Sequence, residues 1–361
     1  MINRDDFDKT KERFKALWER EVIDRCCVSI SWTDGSRLKD IHRFPKNTED
    51  QERYWTDPEW VLMRNMDVFK NTYYGGDAFP LTWVNLGPSG HAGFLKGIRH
   101  RYMPDTIWFD PILDEEELDP DKITFDENSF LYKKTLEMAR YLCEQANGQY
   151  YVSMPDLSGN LDALAHVRGS DNLLMDFLTE DEDVIRACAD KLEAIWEKTM
   201  KDCYDIVKDC NDGGSCIGWL NTWAPGFHGQ LQCDISVMVS NEIYETFARP
   251  ELTRQCQVLD YPLYHLDGME QIRHLDTILS IPGLKMIQWT NVVGQPSPLE
   301  FLPALKKIQE AQKCLLLQIR PWEVEKAMDV LSSKGLYLQV SASSKDEVDF
   351  VVKMVEHMTH E

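Results

Sequence analysis

Eight short runs of β-branched, aromatic and other apolar residues recur along the chain, and helical patterns separate most of them. Alternation of such strands with helices is typical of repeated βα units, in which the strands lie parallel. Eight units are what a closed (β/α)8 barrel needs. The chain is therefore predicted to be an α/β protein folded as a (β/α)8 TIM barrel. The predicted strands are residues 26–32, 79–85, 149–154, 214–220, 262–267, 285–289, 313–318 and 336–341.

The remaining segments fit around one barrel. Residues 1–25 are predicted to form an N-terminal helix, and residues 87–126 are a Gly- and Pro-rich insertion after the second strand. This insertion is expected to form a hairpin before an acidic loop and to lie outside the barrel. A length of 361 residues allows one domain or two, but the sequence contains no linker or repeat, so 1–361 is predicted to be a single domain.

Charge and cysteine content exclude several classes of protein. The chain has 39 Lys and Arg against 61 Asp and Glu, a net charge of -22, so its surface repels nucleic acid and anionic membranes. No signal sequence and no run of eighteen apolar residues is present, which predicts a cytoplasmic protein. The ten cysteines form no CxxC pair, so reduced thiols are expected rather than a disulfide framework or a zinc ribbon.

The fifth run ends with a histidine and an aspartate two residues apart. In a parallel barrel the active site lies at the carboxyl ends of the strands, and residues two apart point to the same side. His265 and Asp267 are therefore predicted to act as acid, base or divalent-metal ligands. The alternative is a buried histidine satisfied by a nearby carboxylate. The repeated "HLD" places His274 in a helical stretch, where packing or a surface position is expected.

Two further candidates for catalysis follow the third and fourth runs. Asp156 is the better site candidate in "MPDLSGNLD", because Asp162 fits the start of a helix, where a negative charge is favourable. Cys233 is a candidate thiol, although the adjacent Asp234 tends to raise a thiol pKa and a structural role explains it as well.

Aromatic and amide side chains at other strand ends are predicted to bind a small-molecule substrate. Arg320 could hold a substrate carboxylate in bidentate geometry, with a surface ion pair as the alternative. The predicted substrate-binding residues are Trp219, Asn221, Trp223, Gln288, Trp289, Gln318 and Arg320.

Three segments resemble one known family. These are "YVSMPDLSGNLDALAHVRG", "QCDISVMVSNEIYETFARPEL" and "YHLDGMEQIRHLDTI", and the similarity to the uroporphyrinogen decarboxylase superfamily spans residues 148–361. That superfamily contains uroporphyrinogen decarboxylases, methylcobalamin:coenzyme M methyltransferases and cobalamin-independent methionine synthases, all of them (β/α)8 barrels. The resemblance implies this barrel and a homodimer.

The chain departs from each branch at its functional residues. Decarboxylases carry an "RQAGRY"-type motif, where this chain has "SWTDGSRL" with Arg37 alone. Thiol-activating methyltransferases carry a zinc site of the form His-x-Cys with a second Cys, where this chain has Asp267 and, near the last strand, Ser341 and Ser343.

The resemblance favours a methyltransferase that moves a one-carbon group between a small methylated substrate and a corrinoid or similar carrier. A corrinoid protein is then the expected partner, and a divalent metal held by His265 and Asp267 is a second candidate cofactor. One alternative is a decarboxylase or lyase acting on a carboxylated small molecule. Another is a barrel that binds a small molecule without turnover.

Overall fold

A computed structural model describes residues 1–113 and 117–360. Its strands are β1 Cys27–Thr33, β2 Thr72–Gly76, β3 Leu81–Thr82, β4 Arg99–Tyr102, β5 Ile107–Asp110, β6 Tyr151–Val152, β7 Ser215–Ile217, β8 Thr222–Ala224, β9 His228–Leu231, β10 Tyr261–Leu266, β11 Met286–Trp289, β12 Cys314–Ile319 and β13 Leu336–Ser341. Its helices are α1 Phe7–Trp18, α2 Thr48–Thr56, α3 Pro58–Lys70, α4 Phe130–Ala146, α5 Asn160–Arg168, α6 Ser170–Thr179, α7 Glu182–Val207, α8 Asn241–Ile243, α9 Arg249–Val258, α10 Leu275–Leu279, α11 Leu302–Glu310, α12 Val324–Val330 and α13 Lys345–Met358. Over these described residues, no helix has the length and apolar character to cross a membrane.

A mostly parallel sheet of seven strands forms the centre of the molecule, in the order β2-β1-β13-β12-β11-β10-β9. Only the edge strand β2 runs antiparallel to its neighbour, β1. The described residues also form three two-stranded sheets, which are β3-β6, β4-β5 and β7-β8. The predicted α/β class is confirmed.

Five of the eight predicted runs form parallel strands of this sheet: β1, β10, β11, β12 and β13. The second and third runs shorten to β3 and β6, which pair parallel with each other over two residues. A closed ring of eight parallel strands is not seen in the ladders of residues 1–113 and 117–360. Closure of the barrel therefore stays a prediction.

The fourth run is shorter than predicted and lies parallel to the end of the third run at one bridge, between Met154 and Ile217. Its central residues form β7, which turns back through Asn221, with a left-handed φ of 51°, and pairs antiparallel with β8. The parallel neighbour of β10 is instead β9, a segment that the sequence analysis assigned to a loop. β9 has polar residues facing the site, so it lacks the apolar run that marks a buried strand.

One face of the sheet is apolar near the amino ends of its strands and polar near their carboxyl ends. Leu263 pairs with Met286 near the amino ends, and two residues further on His265 pairs with Gln288. Period-two alternation puts all four side chains on the same face. The apolar layer packs with Phe14 of α1 in one buried cluster, so the N-terminal helix covers the amino-terminal side. The polar layer, which contains His265 and Gln288, lies at the carboxyl ends of the strands.

The insertion has the predicted hairpin. β4 and β5 pair antiparallel and lie outside the seven-stranded sheet. Part of the acidic stretch that follows, residues 114–116, falls outside the described residues. The single-domain assignment stays a prediction.

Candidate active site at the carboxyl ends of the strands

His265 lies at the centre of the polar layer. Its Nδ1 donates to Oε1 of Gln288 at 2.6 Å and lies 3.1 Å from Oγ1 of Thr290. The edge of its ring meets Trp219, with the ring centres 5.1 Å apart. Burial lowers the pKa of His265, so the ring is neutral near pH 7. With the proton on Nδ1, the Nε2 atom is a free acceptor facing the site.

Two aspartates face this nitrogen. Oδ1 of Asp234 is 3.8 Å from Nε2 of His265, and Oδ1 of Asp267 is 4.0 Å away. Asp234 Oδ1 has no hydrogen-bond partner among the described residues, while its Oδ2 accepts from Gln232 at 2.9 Å. Burial and then the charge of Asp162 raise the pKa of Asp234 well above its ordinary value. A carboxyl with a raised pKa beside a neutral imidazole suits proton transfer.

Asp156 belongs to the same cluster. Its Oδ1 accepts from Nε2 of Gln230 at 2.6 Å and from the backbone N–H of Ser158 at 3.2 Å. Oε1 of Gln230 in turn accepts from the indole N–H of Trp219 at 2.6 Å. Burial, the largest cause, raises the pKa of Asp156 to about 7. Asp156 is therefore poised to exchange a proton at neutral pH.

Two cavities flank this cluster. The first, of about 480 Å³, is lined by Trp219, Asn221, Gln318 and Arg320 together with residues of β1 and β13. The second, of about 340 Å³, has an apolar wall that includes Trp108, and Asp234 is one of its polar residues. The first cavity adjoins the cluster through Trp219, and the second adjoins it through Asp234.

The sequence analysis thus named many of the residues that come together. His265, Asp267, Asp156, Gln288 and Trp219 lie around one point, and Asn221, Gln318 and Arg320 line the first cavity.

Three other predicted residues are placed elsewhere. Trp223 is buried and donates to the backbone oxygen of Asn211 at 3.0 Å. Trp289 stacks on Phe301, because it follows Gln288 and so points to the opposite face of the sheet. Cys233 is buried among apolar residues, and burial raises its thiol pKa well above the ordinary value. These are the positions of packing residues, and their predicted site roles stay predictions.

Several residues of the cluster were missed or underrated. Gln230 and Gln232 are two apart in β9 and its extension, and that spacing was a signal once the segment is read as a strand. Gln339 donates to the backbone oxygen of Trp219 at 3.0 Å, and Gln318 donates to Gln339 at 2.9 Å. A glutamine within an otherwise apolar strand is the feature that could have identified them.

A buried network supports the segment that carries Asp156. The backbone N–H of Asn160 donates to Oε1 of Glu251 at 2.6 Å, and its side chain donates to Oε2 of Glu193 at 2.5 Å. Gln255 also donates to that Glu193 oxygen, at 3.1 Å. Burial raises the pKa of Glu193 to about 7 and that of Glu251 well above its ordinary value. The start of α5 is thus held by carboxyls that favour the protonated form.

Glu193→Gln is expected to change how stability depends on pH. The pKa of Glu193 in the folded protein, about 7, lies above its ordinary value of 4.5. Between these two pH values the carboxyl ionises more readily in the unfolded chain, so its burial lowers the free energy of unfolding progressively as pH rises towards 7. The free energy of unfolding of the variant, relative to that of the wild type, should therefore be about 1–3 kcal/mol higher at pH 8 than at pH 5. Urea unfolding at both pH values measures this. Glu197→Gln, on the exposed side of the same helix, should show no such gain. An identical difference at both pH values would contradict the expectation.

Metal ligation at His265 and Asp267 stays a prediction. Within residues 1–113 and 117–360, no group of three or more His, Cys, Asp and Glu is arranged to hold a metal ion. The arrangement of donors thus does not fit a metal centre, and no chemical step is derived from one.

Zinc content can be tested directly. Because Asp267 and Ser341 stand where the resembled zinc site has thiolates, we expect less than one tightly bound zinc per chain in protein purified without added metal. Elemental analysis measures this. One stoichiometric zinc lost together with activity in the His265→Ala variant would contradict it.

Comparisons with known proteins bear on the fold. The chain is similar in structure to a methyltransferase from Methanosarcina mazei, with a TM-score of 0.54 and 10% identity over 96% of this chain and 98% of that one. No family model matches the sequence, and no curated protein matches it. The similarity shows a shared fold over nearly the whole length. Membership of the uroporphyrinogen decarboxylase superfamily stays a prediction.

Proposed function

We propose that the protein is a methyltransferase-like enzyme that moves a one-carbon group between a small methylated substrate and a corrinoid or similar carrier. The observation that carries the proposal is the position of neutral His265 at the carboxyl ends of the strands beside Asp234, with Asp156 in the same cluster; the pKa of Asp156 is raised to about 7 and that of Asp234 well above its ordinary value. The similar fold of a methyltransferase supports it. We also propose that the sheet closes into a barrel, since Met154 bridges Ile217 in parallel fashion.

The chemistry requires a proton at the leaving atom. When a methyl group leaves an oxygen, nitrogen or sulfur atom, that atom gains an electron pair, and protonation stabilises it. Asp156 or Asp234 would donate this proton, while the free Nε2 of His265 accepts a hydrogen bond from substrate or takes up the proton in the reverse direction. A reduced corrinoid, when bound, supplies the nucleophile that takes the methyl group.

Exposed apolar side chains lie on the segments that follow three of the strands. Met269, Val293 and Trp322 are exposed apolar residues that lie on the loops after β10, β11 and β12. Val293 is fully exposed at 100%. An apolar rim over a polar cluster suits a flat ring system presented by a partner protein. The residues present therefore fit a carrier that approaches from this side.

The proposal is tested by mixing the purified protein with cob(I)alamin and a series of methoxy, methylamine and methylthio compounds. Loss of the cob(I)alamin spectrum that depends on both enzyme and donor supports methyl transfer. Asp276→Asn, a change at an exposed carboxylate, should keep the rate. Release of carbon dioxide from carboxylated compounds with no methyl transfer would favour the decarboxylase alternative. Tight binding without any turnover would favour the binding barrel.

Arg320 favours the decarboxylase or lyase as the second candidate function. Its side chain lines the first cavity beside Gln318 and Ser341. No carboxylate among the described residues forms an ion pair with its guanidinium, although its backbone N–H donates to Glu323 at 2.8 Å. A guanidinium without a protein anion can hold a substrate carboxylate.

Arg320→Ala is expected to weaken binding of carboxylated ligands selectively. The comparison uses 4-methoxybenzoate and 4-methoxybenzamide, which differ in the carboxylate. Loss of a charge-assisted contact should raise Kd for the acid by roughly 10- to 100-fold and leave the amide within a few-fold. Arg37→Ala, at an exposed arginine paired with Asp34, is the matched control. Equal weakening of both ligands would show that Arg320 does not bind the carboxylate.

A further inference from the structure

Two of the ten cysteines differ from the rest. Cys143 and Cys210 are partly exposed, and the other eight are buried. Cys143 lies near the end of α4, and Cys210 lies in the single turn Asp209–Asn211 that follows α7. Both line one surface cavity of about 450 Å³, away from the candidate active site and near the N-terminal residues Met1 and Phe7. Two elements that are distant in sequence thus bring together the two accessible thiols.

The two side chains are neighbours in this cavity. The Cys210 thiol donates to the backbone oxygen of Val207 at 3.2 Å and lies 3.5 Å from Oδ1 of Asn211. The neighbouring Cys210 is the largest cause of the raised pKa of Cys143, followed by burial and by the charges of Glu144 and Asp209. Cys143 therefore loses its proton less readily than an ordinary thiol, so Cys210 is the thiol that reacts with peroxide first.

We propose that Cys143 and Cys210 are an oxidative modification site that closes reversibly to an intramolecular disulfide. Hydrogen peroxide, or another peroxide, is the oxidant. The Cys210 thiolate attacks one peroxide oxygen, forms a sulfenic acid and releases water, or the alcohol of an organic peroxide. The Cys143 sulfur then attacks the Cys210 sulfur and expels a second water. Two thiols thus lose two protons and two electrons, and the peroxide takes up both. A dithiol reverses the step by exchange.

The position of the pair connects it to the strand that leads to Asp156. Asn211, next to Cys210, accepts from the backbone N–H of Val152 at 3.0 Å and donates to its oxygen at 2.7 Å. α4, which carries Cys143, ends just before the same strand, β6. A disulfide would therefore tie the turn that clamps β6 to the helix that precedes it. It would also close a loop that contains Asp156 and α5.

The test uses the full wild-type chain. Native thiols are titrated with Ellman's reagent before and after treatment with hydrogen peroxide, and peptides are then mapped by mass spectrometry without reduction. Before oxidation Cys210 is expected to react faster than the buried cysteines and Cys143 more slowly than Cys210; after oxidation neither should react, and a 143–210 cross-linked peptide that dithiothreitol removes should appear. In Cys143→Ser, Cys210 should instead be trapped as a sulfenic acid that dimedone labels.

Three outcomes would overturn the proposal. One is oxidation of either thiol to sulfinic acid in the wild type with no cross-link between them. Another is a cross-link that forms only between two chains. The last is a Cys210 thiol that reacts with Ellman's reagent no faster than the eight buried cysteines. The wild-type mapping decides all three even if the serine variant does not fold.

Discussion

Asp156→Asn is expected to lower the rate of methyl transfer by roughly 10²- to 10⁴-fold, the usual cost of losing a general acid. The change keeps the size of the side chain and an oxygen that can accept from Gln230, which donates to Asp156 at 2.6 Å. The pKa of the Asp156 carboxyl is about 7, so in the wild type the acid form is present below pH 7 and is lost above it. The wild-type rate should thus fall as pH rises through about 7, and the variant should lose this limb of the profile.

Asp162→Asn is the matched control. Asp162 accepts backbone hydrogen bonds from Ile235 at 2.8 Å and from Gly159 at 3.3 Å, so it holds two segments together at the edge of the second cavity. Its loss should reduce stability by about 1–3 kcal/mol and change the turnover of the folded protein only a few-fold. A wild-type rate and an unchanged pH profile in Asp156→Asn would remove Asp156 from the mechanism.

His265→Ala and His274→Ala should have opposite effects. His265 presents its Nε2 to the site between Asp234 and Asp267, so its removal should cost roughly 10²- to 10⁴-fold in rate and about 1 kcal/mol in stability. His274 is buried, stacks on Tyr244 with ring centres 4.3 Å apart, and donates to the backbone oxygen of Ser236 at 3.0 Å. Its removal should cost about 2–4 kcal/mol and little specific activity.

Both measurements are needed for this pair of variants. Turnover per folded molecule gives the catalytic effect, and urea unfolding gives the stability. Equal losses of stability with unchanged specific activity in both variants would make His265 a core histidine. The functional centre would then have to lie with Asp156 and Arg320.

The sequence predicted the parts of the fold that depend on continuous apolar runs. β10 to β13 are such runs, and each lies within about one residue of the predicted bounds. β9 was missed because Gln230, and Gln232 just after the strand, interrupt its apolar pattern, so the parallel neighbour of β10 was not predicted. A strand whose polar residues serve the site lacks the signal by which buried strands are identified.

Strand position predicted His265, Asp267 and Asp156, because these follow recognisable strands. Trp223 and Trp289 have packing contacts instead, because the type of residue was read without the side of the sheet to which it points, and their site roles stay predictions. Asp234 was treated as a neighbour of Cys233, yet its own carboxyl faces His265 at 3.8 Å. Contacts between distant segments, such as Gln230 with Asp156, depend on the fold and have no local signal.

The central claim is that the cluster holds a protonated carboxyl beside a neutral imidazole at neutral pH. Infrared difference spectroscopy of the wild type against Asp156→Asn, titrated from pH 5 to pH 9, measures this without knowledge of the substrate. The account predicts a protonated carboxyl band that belongs to Asp156, is present at pH 6 and disappears as pH rises through about 7. The absence of any such band at pH 6, with Asp156 fully ionised there, would contradict it.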